Sequence, residues 1–155
     1  KVVNYKDSKD GLPAISKYYN YDQGVPGNSA QSNGITCIYR YADVLLMYAE
    51  ASTRATGNVN ALALKCLQEV QQRAGDKTLT ATTDPTAFEE AVFNERGWEF
   101  FAEMKRWFDL VRLEKVADVK PTEWNGSTFK ANNHYYFPVP YNEINLTGWT
   151  NNAGY

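Results

Sequence analysis

The stretch that decides the fold runs from Asn94 to Arg112 and reads NERGWEFFAEMKRWFDLVR. It combines two tryptophans and three phenylalanines with eight charged side chains. Neither a solvated charged face nor an ordinary apolar core has that composition. The pattern predicts a helix, a sharp turn near Met104 and a second, short helix. Because buried charges are tolerated only when they are paired and hydrogen-bonded, we expect these ions to pair with each other and with loop backbone.

We interpret this segment as a structural cluster rather than a reaction centre. Its aromatic rings should fill the space between packed layers, so we expect Trp98, Trp107 and Phe108 to be largely buried. Arg106 or Arg112 should pair with a carboxylate or with loop carbonyl groups. The residues assigned to the cluster are Glu95, Arg96, Trp98, Arg106, Trp107, Phe108, Asp109 and Arg112.

The overall composition is that of a globular chain. Its 155 residues are 43% hydrophobic and 14% aromatic, enough for one domain with a real core. The net charge is -2 and no Lys/Arg cluster occurs, which argues against a nucleic-acid surface. No apolar run approaches the roughly 18 residues needed to span a bilayer. The chain begins at Lys1 without a Met or a signal peptide, so we expect a processed product or a piece of a longer protein.

Three glutamates, Glu95, Glu99 and Glu103, recur every four residues on one face of the predicted helix. Dimetal sites on helices usually need a Glu-x-x-His partner, and no His lies on these helices. A glycosidase needs two carboxylates across a cleft, which spacing on one helix does not show. We therefore predict no catalytic residue. The expected partners of these carboxylates are Arg96, Arg106 and Arg112.

The cysteines, Cys37 and Cys66, do not form a CxxC pair, and the single His134 lies far from both in sequence. This spacing gives no support for zinc ligation, so we predict neither a metal nor a cofactor. We expect two small buried thiols, with a disulfide between them as the alternative.

Helical periodicity predicts three helices, near 41–55, 59–74 and 86–103, with 1–38 and 113–155 mostly irregular. The first two should form an antiparallel hairpin of about the length of one tetratricopeptide unit. The predicted fold class is mainly α: a tetratricopeptide-like hairpin plus further helices with long irregular loops. Most of the first helix should be buried. The expected apolar faces are Tyr41, Val44, Leu45, Tyr48, Ala49 and Ser52; Leu62, Cys66, Val70 and Ala74; and Phe88, Ala91, Val92 and Trp98.

Aromatic residues beside amides in the loops are the candidates for ligand binding. Tyr18, Tyr19 and Tyr21 cluster in the first loop, and Trp124 with Asn125 lies between turn residues. Such rings could stack on a sugar while amide groups bond its hydroxyls. The alternative is structural, with the tyrosines fastening a long loop to the core and Trp124 capping it.

Three segments resemble motifs of the SusD/RagB family, in the family's order, over residues 39–155. Residues 39–51 read YRYADVLLMYAEA, close to R-x-A-D/E-V-L-L-x-Y-A-E-A. The segment from Asn94 to Arg112 is similar to E-R-x-x-E-F followed by R-W-F-D-L-x-R, without the family's usual Gly at the turn. Residues 137–144, FPVPYNEI, and the final NAGY are similar to P-I-P-x-x-E-I and N-P-G-Y.

The resemblance implies a surface lipoprotein of the Bacteroidetes outer membrane that captures oligosaccharides or other nutrients without cleaving them. Family members cap a TonB-dependent, SusC-like transporter and are lipid-anchored on the extracellular face. The resemblance also implies one C-terminal domain over 1–155, with a loop-rich entry at 1–38, a helical core at 39–112 and an irregular wrap at 113–155. None of the motifs carries a ligand residue of the family.

Two other functions remain open at this point. The hairpin could serve a helical, tetratricopeptide-type protein-interaction module, in which case the ligand surface should lie on 41–74. A carbohydrate-active enzyme is the other rival, and the absence of a credible acid–base pair argues against it. A capture protein should bind its ligand through the loops.

Overall fold

The computed structural model describes residues 17, 37–116, 118, 135–152 and 155. These residues form five helices and no strand, so the mainly α fold class is confirmed. The helices predicted at 41–55 and 59–74 are confirmed to within two residues, whereas the third ends four residues early, before the turn at 100–104. The helices are α1 (Tyr41–Thr56), α2 (Ala61–Ala74), α3 (Pro85–Glu99), α4 (Arg106–Arg112) and α5 (Tyr141–Thr147).

Local capping explains where α1, α2 and α3 begin and end. The side chain of Asn60 accepts a hydrogen bond from the Ala63 amide at 2.8 Å and starts α2. Asp84 accepts from the Ala87 amide at 3.1 Å, with Pro85 at the first position of α3. Gly75 ends α2 at φ 91°, a left-handed conformation that suits glycine. The next amide, of Asp76, then donates back to the Gln71 carbonyl at 3.0 Å, so the end of α2 is fixed.

The core forms where α1 packs against both α2 and α3. The face of α1 predicted to be buried is largely wrong, because Tyr41, Val44 and Tyr48 are exposed. The helix instead turns a narrower stripe inward, and its small alanines allow the partner helices to approach. The core residues are Ala42, Leu46, Ala49, Ala63, Cys66, Leu67, Val70, Phe88, Val92 and Phe100.

The second helix also buries a face shifted from the predicted one. Cys66 and Val70 are buried as expected, but Leu62 is 53% exposed and Ala63 takes the inward position. Both cysteines are free thiols, and Cys37 is exposed while Cys66 is buried. The expectation of a buried thiol is therefore right for Cys66 and wrong for Cys37. Burial and the nearby charge of Glu69 raise the pKa of the Cys66 thiol.

The predicted turn near Met104 is confirmed. Ala102 and Met104 adopt left-handed φ values of 65° and 60°. Residues other than glycine are strained at such φ values, and this turn lacks the glycine that is usual in the SusD/RagB motif it resembles. The chain divides here into two compact units, Lys1–Glu103 and Met104–Tyr155.

In the second unit, α4 buries the side that carries Asp109 and Leu110 and exposes the side that carries Phe108. Asp109 and Leu110 are buried, and Arg112 donates to Asp109 at 2.8 Å, which confirms the predicted pairing of Arg112. Phe108 is 67% exposed, so the prediction that it is buried is wrong. Consecutive helical positions point in different directions, and burial of Asp109 and Leu110 therefore turns Phe108 outward. Trp107 is half-buried and lies 6.2 Å, centroid to centroid, from Phe137.

The expectation of coil after residue 141 is wrong over Tyr141–Thr147, which forms α5. Pro140 precedes the helix, Glu143 lies in its first turn, and Gly148 ends it at φ 71°. An acidic residue in the first turn and a glycine after the last are ordinary helix-boundary residues. The many Asn and Gly residues of this region obscured that short helix.

Candidate functional site

A network of charged side chains joins the start of α1 to the end of α3. Arg40, immediately before α1, donates to the carboxylates of Glu99 and Glu103, with its Nη2 atom 2.8 Å from Glu103 Oε1. Arg73, at the end of α2, pairs with Glu99, and Lys17 pairs with Glu103. The two carboxylate side chains are only 5% and 6% exposed. We call these five residues the charge cluster.

The same cations also satisfy backbone carbonyls where α3 ends. The Glu99 carbonyl accepts from Arg40 Nη2 at 2.7 Å and from Lys17 Nζ at 2.9 Å. Lys17 Nζ also donates to the Phe101 carbonyl at 3.1 Å. The last carbonyls of a helix have no partner within it, and their partial negative charge attracts cations. The charge cluster therefore serves as the C-terminal cap of α3.

Hydrogen bonding within the charge cluster shifts the pKa values of Arg40 and Glu103. Burial alone would lower the pKa of Arg40, but hydrogen bonds to Glu103 and Glu99 outweigh burial and raise it. Burial would likewise raise the pKa of Glu103, but hydrogen bonds from Arg40 and Lys17 hold it below its ordinary value. Both groups are thus fixed in their charged forms, and Glu103 is a poor proton donor.

A second link between α1 and α3 lies beside the charge cluster. Asp43 in α1 is buried and stands 3.7 Å from the guanidinium of Arg96 in α3. The buried ring of Phe100 contacts two guanidinium groups, with its centroid 4.8 Å from Arg40 Cζ and 5.1 Å from Arg96 Cζ. Such cation–π contacts stabilise both the ring and the cations.

The pairing partners predicted from sequence differ from those in the structure. Glu99 and Glu103 pair with Arg40, Arg73 and Lys17, which lie elsewhere in the chain. Helix spacing reveals which residues share a face, but not which cation of a neighbouring element reaches that face. The position of Arg40 directly before the first helix was the one signal for its role.

Glu95 differs from the other two glutamates of the series. It is 2% exposed, and its Oε2 atom has no hydrogen-bond partner within the described part of the chain. Burial first, and then the nearby charge of Asp76, raise its pKa, although a hydrogen bond with Gln71 acts in the opposite sense. Glu95 is not among the residues that line the two pockets described next.

Trp98 stands at the end of α3 and is 71% exposed, so the prediction of a buried ring is wrong. The buried stripe of α3 instead follows Phe88, Val92, Glu95 and Glu99, at helical spacing. That stripe contains two carboxylates, which were not part of the apolar face predicted for this helix. The indole therefore lies on the outer side of the helix.

Trp98 lines two open pockets. One, of about 480 Å³, is also lined by the charge cluster and by Cys37. The other, of about 530 Å³, has mostly polar walls. Gln71 and Gln68 fix part of that second wall, because they hydrogen-bond to the Thr80 side chain at 3.0 Å and to its carbonyl at 2.7 Å. The lining of the second pocket is Gln71, Asp76, Lys77, Thr78, Thr80, Ala91, Asn94 and Trp98.

The ligand-binding residues predicted from sequence lie outside the described residues, which leaves those predictions untested. They are Tyr18, Tyr19, Tyr21, Trp124 and Asn125. Within the described ranges, no group of three or more His, Cys, Asp or Glu side chains has an arrangement that could bind a metal ion. A search of the described helices found none with the length and apolar character required to cross a bilayer.

Comparison with known proteins gives consistent matches. SusD-like protein P25 of Formosa agariphila is 31% identical over 94% of this chain and 28% of that protein. SusD-like protein P2 of the same organism is 30% identical over 97% of this chain and 32% of that protein. This chain thus spans about a third or less of the length of these relatives.

Two solved structures of SusD proteins are also similar to this chain. A SusD superfamily protein from Parabacteroides distasonis superposes with a TM-score of 0.71 at 34% identity, covering 83% of this chain and 29% of that one. A SusD homologue from Bacteroides thetaiotaomicron gives a TM-score of 0.63 at 28% identity, over 76% of this chain and 26% of that one. The SusD family model itself matches residues 3–155, and the chain therefore belongs to the SusD family.

Proposed function

We propose that this chain is part of a surface lipoprotein that captures oligosaccharides and passes them to a TonB-dependent, SusC-like transporter. The observation that carries the proposal is the family match over residues 3–155. SusD-like proteins take part in nutrient capture, and the proposal extends that role to this protein. The complete protein would be lipid-anchored on the extracellular face of the outer membrane and would bind its ligand without cleaving it.

The chemistry of the described residues favours capture over turnover. Glu99 and Glu103 are each shared between two cations, and hydrogen bonds lower the pKa of Glu103. A glycosidase needs one carboxylic acid with a raised pKa facing a second carboxylate across the scissile bond. Glu95 has a raised pKa, but it is buried and lines neither of the two pockets.

Calorimetry tests capture directly. The complete protein is titrated with cello-, malto-, xylo- and pectic oligosaccharides, and the mixtures are then chromatographed for shorter sugars. We expect heat of binding with at least one class and no products. Tyr19→Ala and Trp124→Ala test the loop residues proposed from sequence, and each should weaken binding. Release of shorter sugars would contradict the proposal of capture without cleavage.

The proposed transporter partner and anchor need a separate experiment. The protein, purified from outer membranes in mild detergent, should co-purify with a TonB-dependent transporter. The proposed anchor implies a lipid-bearing cysteine near the start of the complete protein, and replacement of that cysteine should release the protein from the membrane fraction. Retention of that variant in the membrane, or purification without any transporter, would contradict this part of the proposal.

One observation favours a second candidate, a helical module that binds a protein partner. The outer side of α1 exposes Tyr41, Val44, Met47 and Tyr48, which together form an apolar surface on the hairpin. In the complete protein, Val44→Asp tests whether this surface binds a separate partner or is covered by the remainder of the same protein. If the surface binds a separate partner, the variant keeps its unfolding midpoint. If the remainder of the capture protein covers the surface, the midpoint falls.

A further inference from the structure

The indole of Trp98 is exposed although it stands where α3 meets the charge cluster. At 71% exposed, it leaves a large apolar ring in water at the end of a helix whose adjoining residues, Glu99 and Phe100, are buried. Trp98 also lines both pockets. A lone exposed tryptophan needs no explanation, but a ring between two concave surfaces lined mainly by polar residues is the arrangement expected of a binding platform.

Polar groups flank the ring on both sides. Arg73 lines the first pocket with a side chain that is 58% exposed. Among the described residues it directs Nη2 to Glu99, so the other guanidinium donors are available to a ligand. In the second pocket, half-buried Asn94 lies one helical turn before Trp98, and Asp76 and Thr78 are exposed. These side chains supply both donors and acceptors.

Both walls are ordered before any ligand arrives. Glu99 is fixed by Arg40 and Arg73, and the loop carrying Thr80 is fixed by its hydrogen bonds to Gln68 and Gln71. A ligand that binds such walls loses less free energy to ordering of the protein.

This combination suits a sugar ring better than an apolar peptide. A pyranose has a C–H face that packs against an aromatic ring and a rim of hydroxyl groups that donate and accept hydrogen bonds. A hydrophobic peptide anchor would need an apolar pocket, whereas these walls carry guanidinium, carboxylate, amide and hydroxyl groups.

We infer that Trp98 is the stacking platform of a pyranose-binding subsite, with Arg73 and Asn94 as polar contacts on its two sides. The inference rests on the proposed function, because it names the place where this chain contacts the captured oligosaccharide. The subsite is independent of the tyrosines and Trp124 suggested by the sequence.

The test uses the complete protein and the oligosaccharide that gives the largest heat in calorimetry. Trp98→Ala should raise the Kd about tenfold, which corresponds to a loss of about 1.4 kcal/mol in binding free energy. Trp98→Phe should recover most of that loss because it keeps an aromatic face. Arg73→Gln should weaken binding by about threefold. Tyr41→Ala is the matched control: Tyr41 is as exposed as Trp98, at 71%, but lines neither pocket, and its loss should leave the Kd unchanged.

The outcomes separate this inference from the proposed function. If the wild type binds an oligosaccharide and Trp98→Ala binds it equally well, the subsite is wrong and the capture function stands. If the wild type binds none of the sugars, the capture function fails and the subsite fails with it. A lower unfolding midpoint for Trp98→Ala would show that the remainder of the protein covers the ring, which would also overturn the subsite.

Discussion

Replacement of Arg40 by methionine tests whether the charge cluster holds α1 and α3 together. Methionine keeps most of the aliphatic length and removes every guanidinium hydrogen bond, which leaves two carboxylates, 5% and 6% exposed, with fewer donors. Breaking a buried ion pair costs about 3–5 kcal/mol. The Arg40 side chain is 26% exposed, and Glu99 and Glu103 keep Arg73 and Lys17. We therefore expect a loss of about 2–3 kcal/mol in the free energy of unfolding.

The free energy of unfolding lost in Arg40→Met should be larger at neutral pH than at acid pH. Because the folded-state pKa of Glu103 is lowered, its contribution to stability is present above its ordinary pKa of 4.5 and disappears as the pH falls through the folded value. The gap between wild type and Arg40→Met should therefore be full at about pH 7 and smaller at about pH 3. Glu103→Gln should reduce the effect of Arg40→Met in a double-mutant cycle.

Urea unfolding followed by far-ultraviolet circular dichroism measures these differences. Lys65→Met is the matched control, since Lys65 forms an exposed pair with Glu69 at 3.8 Å and should change stability by less than about 0.5 kcal/mol. A loss below about 1 kcal/mol for Arg40→Met at neutral pH, or a loss that stays constant at acid pH, would refute the reasoning.

Three further substitutions have expected outcomes in the same assay. Trp107→Ala should cost about 1–2 kcal/mol, less than the truncation of a fully buried ring such as Phe88, because Trp107 is half-buried; equal costs for Trp107→Ala and Phe88→Ala would contradict this. Glu95→Gln should raise the free energy of unfolding by about 1 kcal/mol near pH 8 and by less near pH 4. The folded-state pKa of Glu95 is raised, so its buried carboxylate destabilises the fold once the rising pH ionises it. A gain independent of pH would exclude titration of Glu95 as the cause. Met104→Gly should stabilise by about 0.5–1 kcal/mol, because it relieves a φ of 60° at a side chain that is 86% exposed; Met104→Ala, which keeps the strain, should not.

The sequence was sufficient to predict α1, α2 and α3, but not α5, because the signals of the longer helices are local and strong. Periodicity located α1, α2 and α3, and the start predicted for the third helix, residue 86, lies one position from the observed start at Pro85. The turn near Met104 was predicted from the change of pattern alone. Caps and turns depend on a few adjacent residues, so a single sequence contains the information for them.

Which face of each helix is buried depends on packing that a single sequence does not determine. On α1, the face expected to be buried was wide, because most of the helix was predicted to be buried, and it included Tyr41, Val44, Tyr48 and Leu46. The structure buries Leu46 together with Ala42 and leaves Tyr41, Val44 and Tyr48 exposed. Close approach of α2 and α3 suits small side chains, and this tertiary requirement overrode the larger apolar area of the tyrosines.

The segment from Asn94 to Arg112 shows the same inversion, and the inversion bears on function. The sequence predicted buried rings and paired ions, whereas in the structure the paired side chains of Glu99 and Glu103 are buried and Trp98 and Phe108 are exposed. The buried carboxylates are matched by cations, and the pKa of Glu103 is lowered, so proton transfer from it is disfavoured. Glu95, the carboxyl group with the raised pKa, does not line either pocket. Accessible around these two pockets are the indole of Trp98 and several polar side chains, which are the groups that the proposed subsite requires. The ion pairs of Arg40 engage Glu99 and Glu103, while Trp98 stays exposed beside them.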